Sequence, residues 1–402
     1  MGFTPGWKTE SLTGPFALSI IAVMPKDYTL IESSHALGDL VERLAGVPCV
    51  AVDTEFVWER TFFPRLGLIQ FGTEEGVCFL IDTVALSDLT PLCKILADPG
   101  IVKIVHDAPQ DLMILRRATG AVPQTIFDTR LAAGFAGLSS EISLQNLLAN
   151  LLDIQLPKNH TRADWMARPL SDQQLEYAAD DVRYMPRAAA LLREKARTAG
   201  LESWLNQELE LLNDPAITEE RSPMESYRRI RAADRLNARS LAVLRELAAW
   251  REQEARTADL PRQHVAEDSE LLSVASVLPV QATGFDTCRD LRRRTEERYG
   301  KSLLACVKQG LSLPEYDCPA LPISPDERII GKVRIASTVE AIRKIAEEKK
   351  VDPRLVSAKN DILMLLQEGY AASPHHHRLL RGWRAELLGD LLTSRQRPNN
   401  LQ

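Results

Sequence analysis

Apolar positions recur with two different periods along this chain of 402 residues. Residues 49–56, CVAVDTEF, carry small and β-branched side chains with no breaker, which predicts a strand. A turn containing Pro64 and Gly67 follows, and residues 66–71 predict an antiparallel neighbour. Residues 102–105 predict another strand, with a helical pattern starting just beyond it. Asp107 is the expected N-cap of that helix, with Pro109 in the first turn and Gln110 as capping-box partner. Residues 173–192 predict one long helix opened by a capping box at Ser171. Past residue 213 strands become hard to find, and Leu241, Leu244, Leu247 and Trp250 recur at i+3, the spacing of a buried helical stripe.

The chemistry sits on the first three of these elements. Strand side chains alternate faces, so Asp53 and Glu55 project from one side of the 49–56 strand. Asp111 falls one turn into the helix after 102–105, where it leans back toward the sheet edge. Tyr177 and Asp181 are i and i+4, hence on one helix face; Asp180 is the alternative acid, at i+3 from the tyrosine. Asp128 in FDTRLAAGF reads as a helix-start residue. Four carboxylates offer the all-oxygen set that hard divalent cations take. Two such cations roughly 3.5–4 Å apart stabilise both the attacking and the leaving oxygen of an in-line displacement.

In order and chemistry these segments resemble the three exonuclease motifs of ribonuclease D, a member of the DEDD superfamily of 3′→5′ exonucleases. The Y-x-x-x-D form of the third motif matches Tyr177 and Asp181. Family-like text also fills the gaps, in DTEFVWERTFFPRLGLIQ and RADWMARPLSDQQLEYAADDVRY, and the likeness runs from about residue 24 to the end. The resemblance implies that Asp53, Glu55, Asp111 and Asp181 bind two divalent metal ions, Mg²⁺ or Mn²⁺, while Tyr177 positions the attacking water. It implies RNA with a free 3′ end as partner, with tRNA precursors as the substrate class. Phe56, Phe62 and Phe63 are candidates to stack on a terminal base, His106 is a candidate substrate contact, and Trp165 and Arg168 are candidate braces of the third motif. Core packing competes for the phenylalanines, and a satisfied structural role competes for His106. A DNA exonuclease would use the same metal site, because only contacts to the 2′-hydroxyl separate the two backbones. A non-catalytic RNA-binding protein is the other alternative, and the intact five-residue set argues against it.

Residues 228–312 resemble the HRDC domain, a small helical module associated with nucleic-acid binding, and 326–394 resemble a diverged second copy closed by GWRAELLGDLL. Arg228, Arg231, Arg235 and Arg239 are expected on one helix face, with Arg292 to Arg294 as a second basic cluster; each is a candidate RNA contact or a solvated face. The expected architecture is an α/β ribonuclease-H-like exonuclease domain with a mixed β-sheet, followed by two all-α HRDC-like domains. Its boundaries are an N-terminal extension over 1–23, the exonuclease domain over 24–212, linkers over 213–227 and 313–325, and a tail from 395.

Composition changes this picture little. The 49 basic residues are outnumbered by 55 acidic ones, giving a net charge of −6. Long non-specific contacts to nucleic acid would favour the opposite sign, but cations held by clustered carboxylates invert the local field. Six single cysteines form no C-x-x-C pair, which argues against a disulfide framework or zinc site and suits a reducing cytoplasm. The apolar stretch 14–24 is too short to span a bilayer. Nothing in the pattern demands more than a monomer.

Overall fold

The computed structural model describes residues 28–157, 163–219, 222–319, 325–368 and 377–395. Residues 1–23 and the tail beyond Arg395 lie outside the described residues. Two compact units emerge. One comprises Met1–Val57, Leu66–Glu219 and Ile329–Gln402; the other comprises Trp58–Arg65 and Glu220–Arg328.

The first unit is built on a six-stranded sheet in the order β1-β4-β3-β2-β5-β6. The strands are β1 Tyr28–Ile31, β2 Cys49–Val57, β3 Arg65–Gly72, β4 Cys78–Asp82, β5 Val102–Val105 and β6 Ile126–Asp128. β1 runs parallel to β4, β3 antiparallel to β4, and β2, β5 and β6 form parallel pairs, so the sheet is mixed. Cys49, Val50, Ala51 and Val52 are all buried, as expected of a central strand covered on both faces. Its longer helices up to residue 219 are α1 Ser34–Leu44, α2 Pro109–Thr119, α3 Thr129–Phe135, α4 Leu144–Leu152, α5 Asp172–Arg183, α6 Met185–Thr198 and α7 Glu202–Glu210.

Two local expectations change. The helix expected over 173–192 is two helices, broken at Tyr184. Pro186, in the first turn of α6, has no N–H with which to continue the ladder from α5. Asp107 is not the N-cap of α2; Ala108 holds that position without a side-chain cap. Asp107 instead adopts a left-handed conformation, φ 68°, and its exposed carboxylate pairs with Arg130. Two glycines of β3 allow close approach from the third-motif side. A Cβ on Gly67 would lie 2.4 Å from the Trp165 carbonyl oxygen, and one on Gly72 would lie 2.5 Å from that of Val182.

The segment from Ile329 onward packs as part of this same unit. It supplies α11 Pro325–Glu348, most of which lies in the unit, α12 Lys359–Glu368 and α13 Gly382–Arg395. Trp383 is buried, stacked on Trp204 with ring centroids 5.6 Å apart and edge-to-face with Phe135 at 5.2 Å. Its Nε1 donates to Glu208 Oε2 at 2.9 Å, and Arg384 grips both oxygens of Glu208 at 2.7 Å each. Asp352 accepts from the Ser140 amide at 2.5 Å and donates its own amide to the Gly134 carbonyl at 2.9 Å. Residues expected to form a separate third module thus share the core of the exonuclease sheet.

The second unit is helical. α8 Ala238–Thr257, α9 Asp268–Val277 and α10 Arg293–Ser312 enclose Leu241, Leu244, Leu247, Val274, Leu303 and Val307; Trp250 packs against them partly buried. Phe62 belongs to this core, with Phe63 packed at its edge. The Phe62 and Phe63 amides donate to Asp259 Oδ1 at 3.0 and 3.2 Å. Phe62 also lies 4.6 Å from the Arg262 guanidinium.

The expected arginine face does not form. Arg228 lies in one 3₁₀ segment, Arg235 ends another, and Arg231 lies between them. Ala232, at φ 70°, breaks any continuous helix there. Only Arg239 is on α8, and its Nη1 caps the Gly310, Leu311 and Leu313 carbonyls.

Candidate active site

Three of the four expected acids converge. Asp53 and Glu55 on β2 and Asp181 on α5 each present a carboxylate oxygen, and these oxygens all lie within 4.8 Å of one another. The period of two on β2 places Asp53 and Glu55 side by side. Asp181 arrives from α5, whose start is set by the expected capping box: Ser171 Oγ accepts from the Gln174 amide, and Gln174 Oε1 accepts from the Ser171 amide at 3.1 Å. One turn earlier on the same face, the Tyr177 hydroxyl hydrogen-bonds the Asp181 carboxylate.

The fourth acid, Asp111, reaches the cluster through its field and through Thr54. Asp111 is buried, and the Thr54 hydroxyl donates a very short hydrogen bond to its Oδ1. Thr54, between the two motif residues of β2, went unnoticed in the sequence; nothing in local pattern marks it. Asp128 has a second role of the same kind. Besides capping α3 through the Arg130 amide at 2.7 Å, it accepts from the Ala108 amide at 2.9 Å and the Asp107 amide at 3.3 Å. It therefore ties the start of α2, and with it Asp111, to β6.

The electrostatics follow from burial of like charges. Burial pushes the Asp53 carboxyl well above the usual range, and the charges of Asp111, Asp181 and Glu55 push it further. Glu55 is raised to about 9 by burial, then by Asp181 and Asp111. Asp111 and Asp181 are each raised to about 7 by burial, opposed by hydrogen bonds from Thr54 and Tyr177 respectively. Such a set disfavours its own ionisation and is stabilised by a cation. All its donors are carboxylate oxygens, which suits a hard divalent ion rather than a soft one. The residues fit the implied metals, and Asp53, Glu55, Asp181 and Asp111 are those that could hold them. Tyr177 is raised above its ordinary value by burial and by Asp181, Glu55 and Asp53, so its hydroxyl keeps its proton.

The expected brace is present. Trp165 is buried with its ring 6.1 Å from that of Tyr177. Arg168 pairs with both oxygens of Asp82 at 2.6 and 2.8 Å and donates to the Gly67 carbonyl at 2.8 Å.

The remaining candidates are placed less suggestively. His106 has both ring nitrogens engaged, Nδ1 at 2.8 Å from Thr129 Oγ1 and Nε2 at 3.1 Å from the Ile142 carbonyl. Burial, then Arg130, pushes its pKa down to about 4, so it is a neutral structural ring. Phe63 packs in the second unit, and Phe56 is half-buried on β2. Arg228 is paired with Glu225 at 2.6 Å, while Arg231 and Arg235 are exposed.

Comparison with known proteins agrees with this geometry. The 3′-5′ exonuclease family model matches residues 28–196, and the HRDC domain model matches 240–307. A ribonuclease D of Desulfotalea psychrophila is 38% identical over 91% of this chain and 97% of its own length. That of Escherichia coli is 32% identical over 91% and 97%. The crystal structure of Escherichia coli RNase D, described as an exoribonuclease involved in structured RNA processing, superposes with a TM-score of 0.80 over 92% of this chain and 98% of that one. This chain belongs to the ribonuclease D family, and is a 3′→5′ exoribonuclease with an HRDC domain.

Proposed function

We propose that the protein trims tRNA precursors from their 3′ ends by two-metal-ion hydrolysis, with Asp53, Glu55, Asp111 and Asp181 as metal ligands and Tyr177 as the residue that orients water. The observation that carries this reading is the convergence of three carboxylate oxygens within 4.8 Å beside a tyrosine hydroxyl. Family membership supports RNA as the substrate, and the involvement of Escherichia coli RNase D in structured RNA processing supports a structured RNA in particular.

Bound at these carboxylates, two Mg²⁺ or Mn²⁺ ions would offset their mutual repulsion and supply Lewis-acid stabilisation to the attacking and leaving oxygens. The chain's own residues do the rest. Tyr177, protonated at neutral pH, accepts from or donates to the attacking water and sets its line of approach. Asp181, held by Tyr177, and Asp111, held by Thr54, keep fixed positions at the reacting phosphate. Water adds to the phosphorus of the terminal phosphodiester, and the bond to the penultimate 3′ oxygen breaks. That oxygen takes a proton to become the new 3′ hydroxyl, and a 5′-nucleoside monophosphate leaves. The enzyme acts in the cytoplasm as a monomer.

The test follows a 5′-labelled tRNA precursor with an unpaired 3′ tail, incubated with Mg²⁺, Mn²⁺ or excess chelator. The wild-type protein should give a ladder shortening from the 3′ end, absent with chelator. Asp53→Ala should lose more than about a hundredfold in rate, because even changes to residues that only support metal ligands cost about 10–100-fold. Internal cuts, or equal rates in the variant, would overturn the site assignment.

A further inference from the structure

The turn that launches α2 is gripped by three consecutive side chains from the neighbouring strand. β5 and β6 are parallel with Val105 opposite Asp128, so residues 128–130 leave the sheet alongside residues 105–108. Thr129 Oγ1 donates to the Val105 carbonyl at 3.1 Å and lies 2.8 Å from His106 Nδ1. Asp128 accepts from the Asp107 and Ala108 amides at 3.3 and 2.9 Å. Arg130 pairs with the Asp107 carboxylate, and its Nε donates to the Ser140 carbonyl at 3.0 Å. His106 Nε2, on the other side of its ring, meets the Ile142 carbonyl at 3.1 Å. Each of the four residues 105–108 is therefore held by a side chain of Asp128, Thr129 or Arg130.

The conformation that this grip maintains is an unfavourable one. Asp107 is left-handed at φ 68°, and a residue other than glycine stays in that region only where its surroundings hold it. The holding groups are themselves costly to bury: Asp128 is 3% exposed and Thr129 0%. What the turn carries explains the arrangement. Asp111 stands outside the three carboxylates whose oxygens lie within 4.8 Å of one another, and its direction depends on where α2 begins. With 3.6 residues per turn, a slip of one residue at Ala108 would swing Asp111 by about 100°.

We propose that Asp128 and Thr129 are positioning residues for the exonuclease reaction: by fixing residues 105–108 they aim Asp111 from α2, and so set the affinity for the divalent ion that Asp111 binds. This rests on the reading of Asp111 as a metal ligand. Asp128 and Thr129 touch neither ion nor substrate; they act through Asp111, from the side opposite to the Thr54 hydroxyl in sequence.

The experiment titrates Mn²⁺ into the full chain without RNA, following the free ion by electron paramagnetic resonance, with thermal melts of every variant. Asp111→Asn identifies the ion in question as the one it weakens. Asp128→Asn should weaken that same ion by about 10–100-fold, the cost of changing residues that support metal ligands, and leave the other unchanged. Thr129→Val, which keeps the shape but removes the hydroxyl, should weaken it as well, and Thr129→Ser should restore it. This pair carries the test should Asp128→Asn fail to fold. Leu37→Ala, a buried change on α1 of the same unit, should lower the melting temperature and leave both ions unchanged. Wild-type Mn²⁺ affinity in Asp128→Asn or Thr129→Val overturns the proposal. So does an equal loss in Leu37→Ala, because general destabilisation would then account for the effect. Wild-type binding in Asp111→Asn would bring down the ligand assignment and this proposal together; weakened binding there, with none in the Asp128 and Thr129 variants, brings down the proposal alone.

Discussion

Replacing Thr54 by valine would test whether the second motif acid depends on its neighbour in the first. Valine keeps the shape of threonine but removes the hydroxyl that donates to Asp111 Oδ1. Thr54 is 6% exposed and Asp111 8% exposed, so water cannot freely replace the lost donor. A hydrogen bond to a charged group contributes about 1.5–3 kcal/mol. At about 1.36 kcal/mol per factor of ten, that corresponds to a loss of roughly 10–150-fold in kcat/KM. The assay is initial-rate hydrolysis of a tailed RNA across a Mg²⁺ titration. Thr54→Val should show the lower rate together with a higher Mg²⁺ concentration for half-activation. Thr54→Ser, which restores the hydroxyl, should recover most of the activity. Activity of Thr54→Val within twofold of wild type, or no recovery in Thr54→Ser, would refute the idea that Thr54 fixes Asp111.

Further expectations follow from the same geometry. With metal chelated, the stability contributed by the acidic cluster should fall as pH rises from about 4 toward 8. The raised Glu55, Asp111 and Asp181 carboxyls bind more protons folded than unfolded across that window, so their contribution is present at low pH and is lost as pH rises through the folded values. In thermal melts the melting temperature of Asp181→Asn relative to wild type should rise with pH across this range, and Mg²⁺ should raise the wild-type melting temperature more at pH 8 than at pH 5; a difference between variant and wild type that stays flat or falls with pH would refute it. Trp383→Ala should destabilise the exonuclease unit by about 3–5 kcal/mol, the usual cost of truncating a buried tryptophan. Urea unfolding monitored on the sheet should register that loss; an unchanged midpoint would mean that α13 is not part of this core.

Much of the site was legible because its signals are local. The strand period of two aligned Asp53 with Glu55, and the helical period joined Tyr177 to Asp181, with Ser171 and Gln174 setting where that helix begins. The leucine stripe of α8 was likewise visible in its spacing and is buried. Misreadings arose where a local signal had competitors. Asp107 has the side chain of a cap, but Arg130, 23 residues away, draws its carboxylate while Asp128 takes the neighbouring amides. The arginines from 228 to 239 have helical spacing, but Ala232 takes a left-handed turn between them, and Arg239 is drawn to carbonyls at the end of α10.

By itself the sequence determined the residue types, the faces on which the catalytic candidates stand and most of the elements that carry them, since these depend on backbone geometry over one or two turns. Tertiary structure alone decided what those residues meet. It brought the Thr54 hydroxyl to Asp111, seated Phe62 and Phe63 over Asp259 in the helical unit, and locked Arg384 onto Glu208 across 176 positions. It also left the buried Tyr299 hydroxyl without a hydrogen-bond partner among the described residues. Contacts between distant segments depend on which surfaces pack together, and they leave no period in the chain from which they could be read.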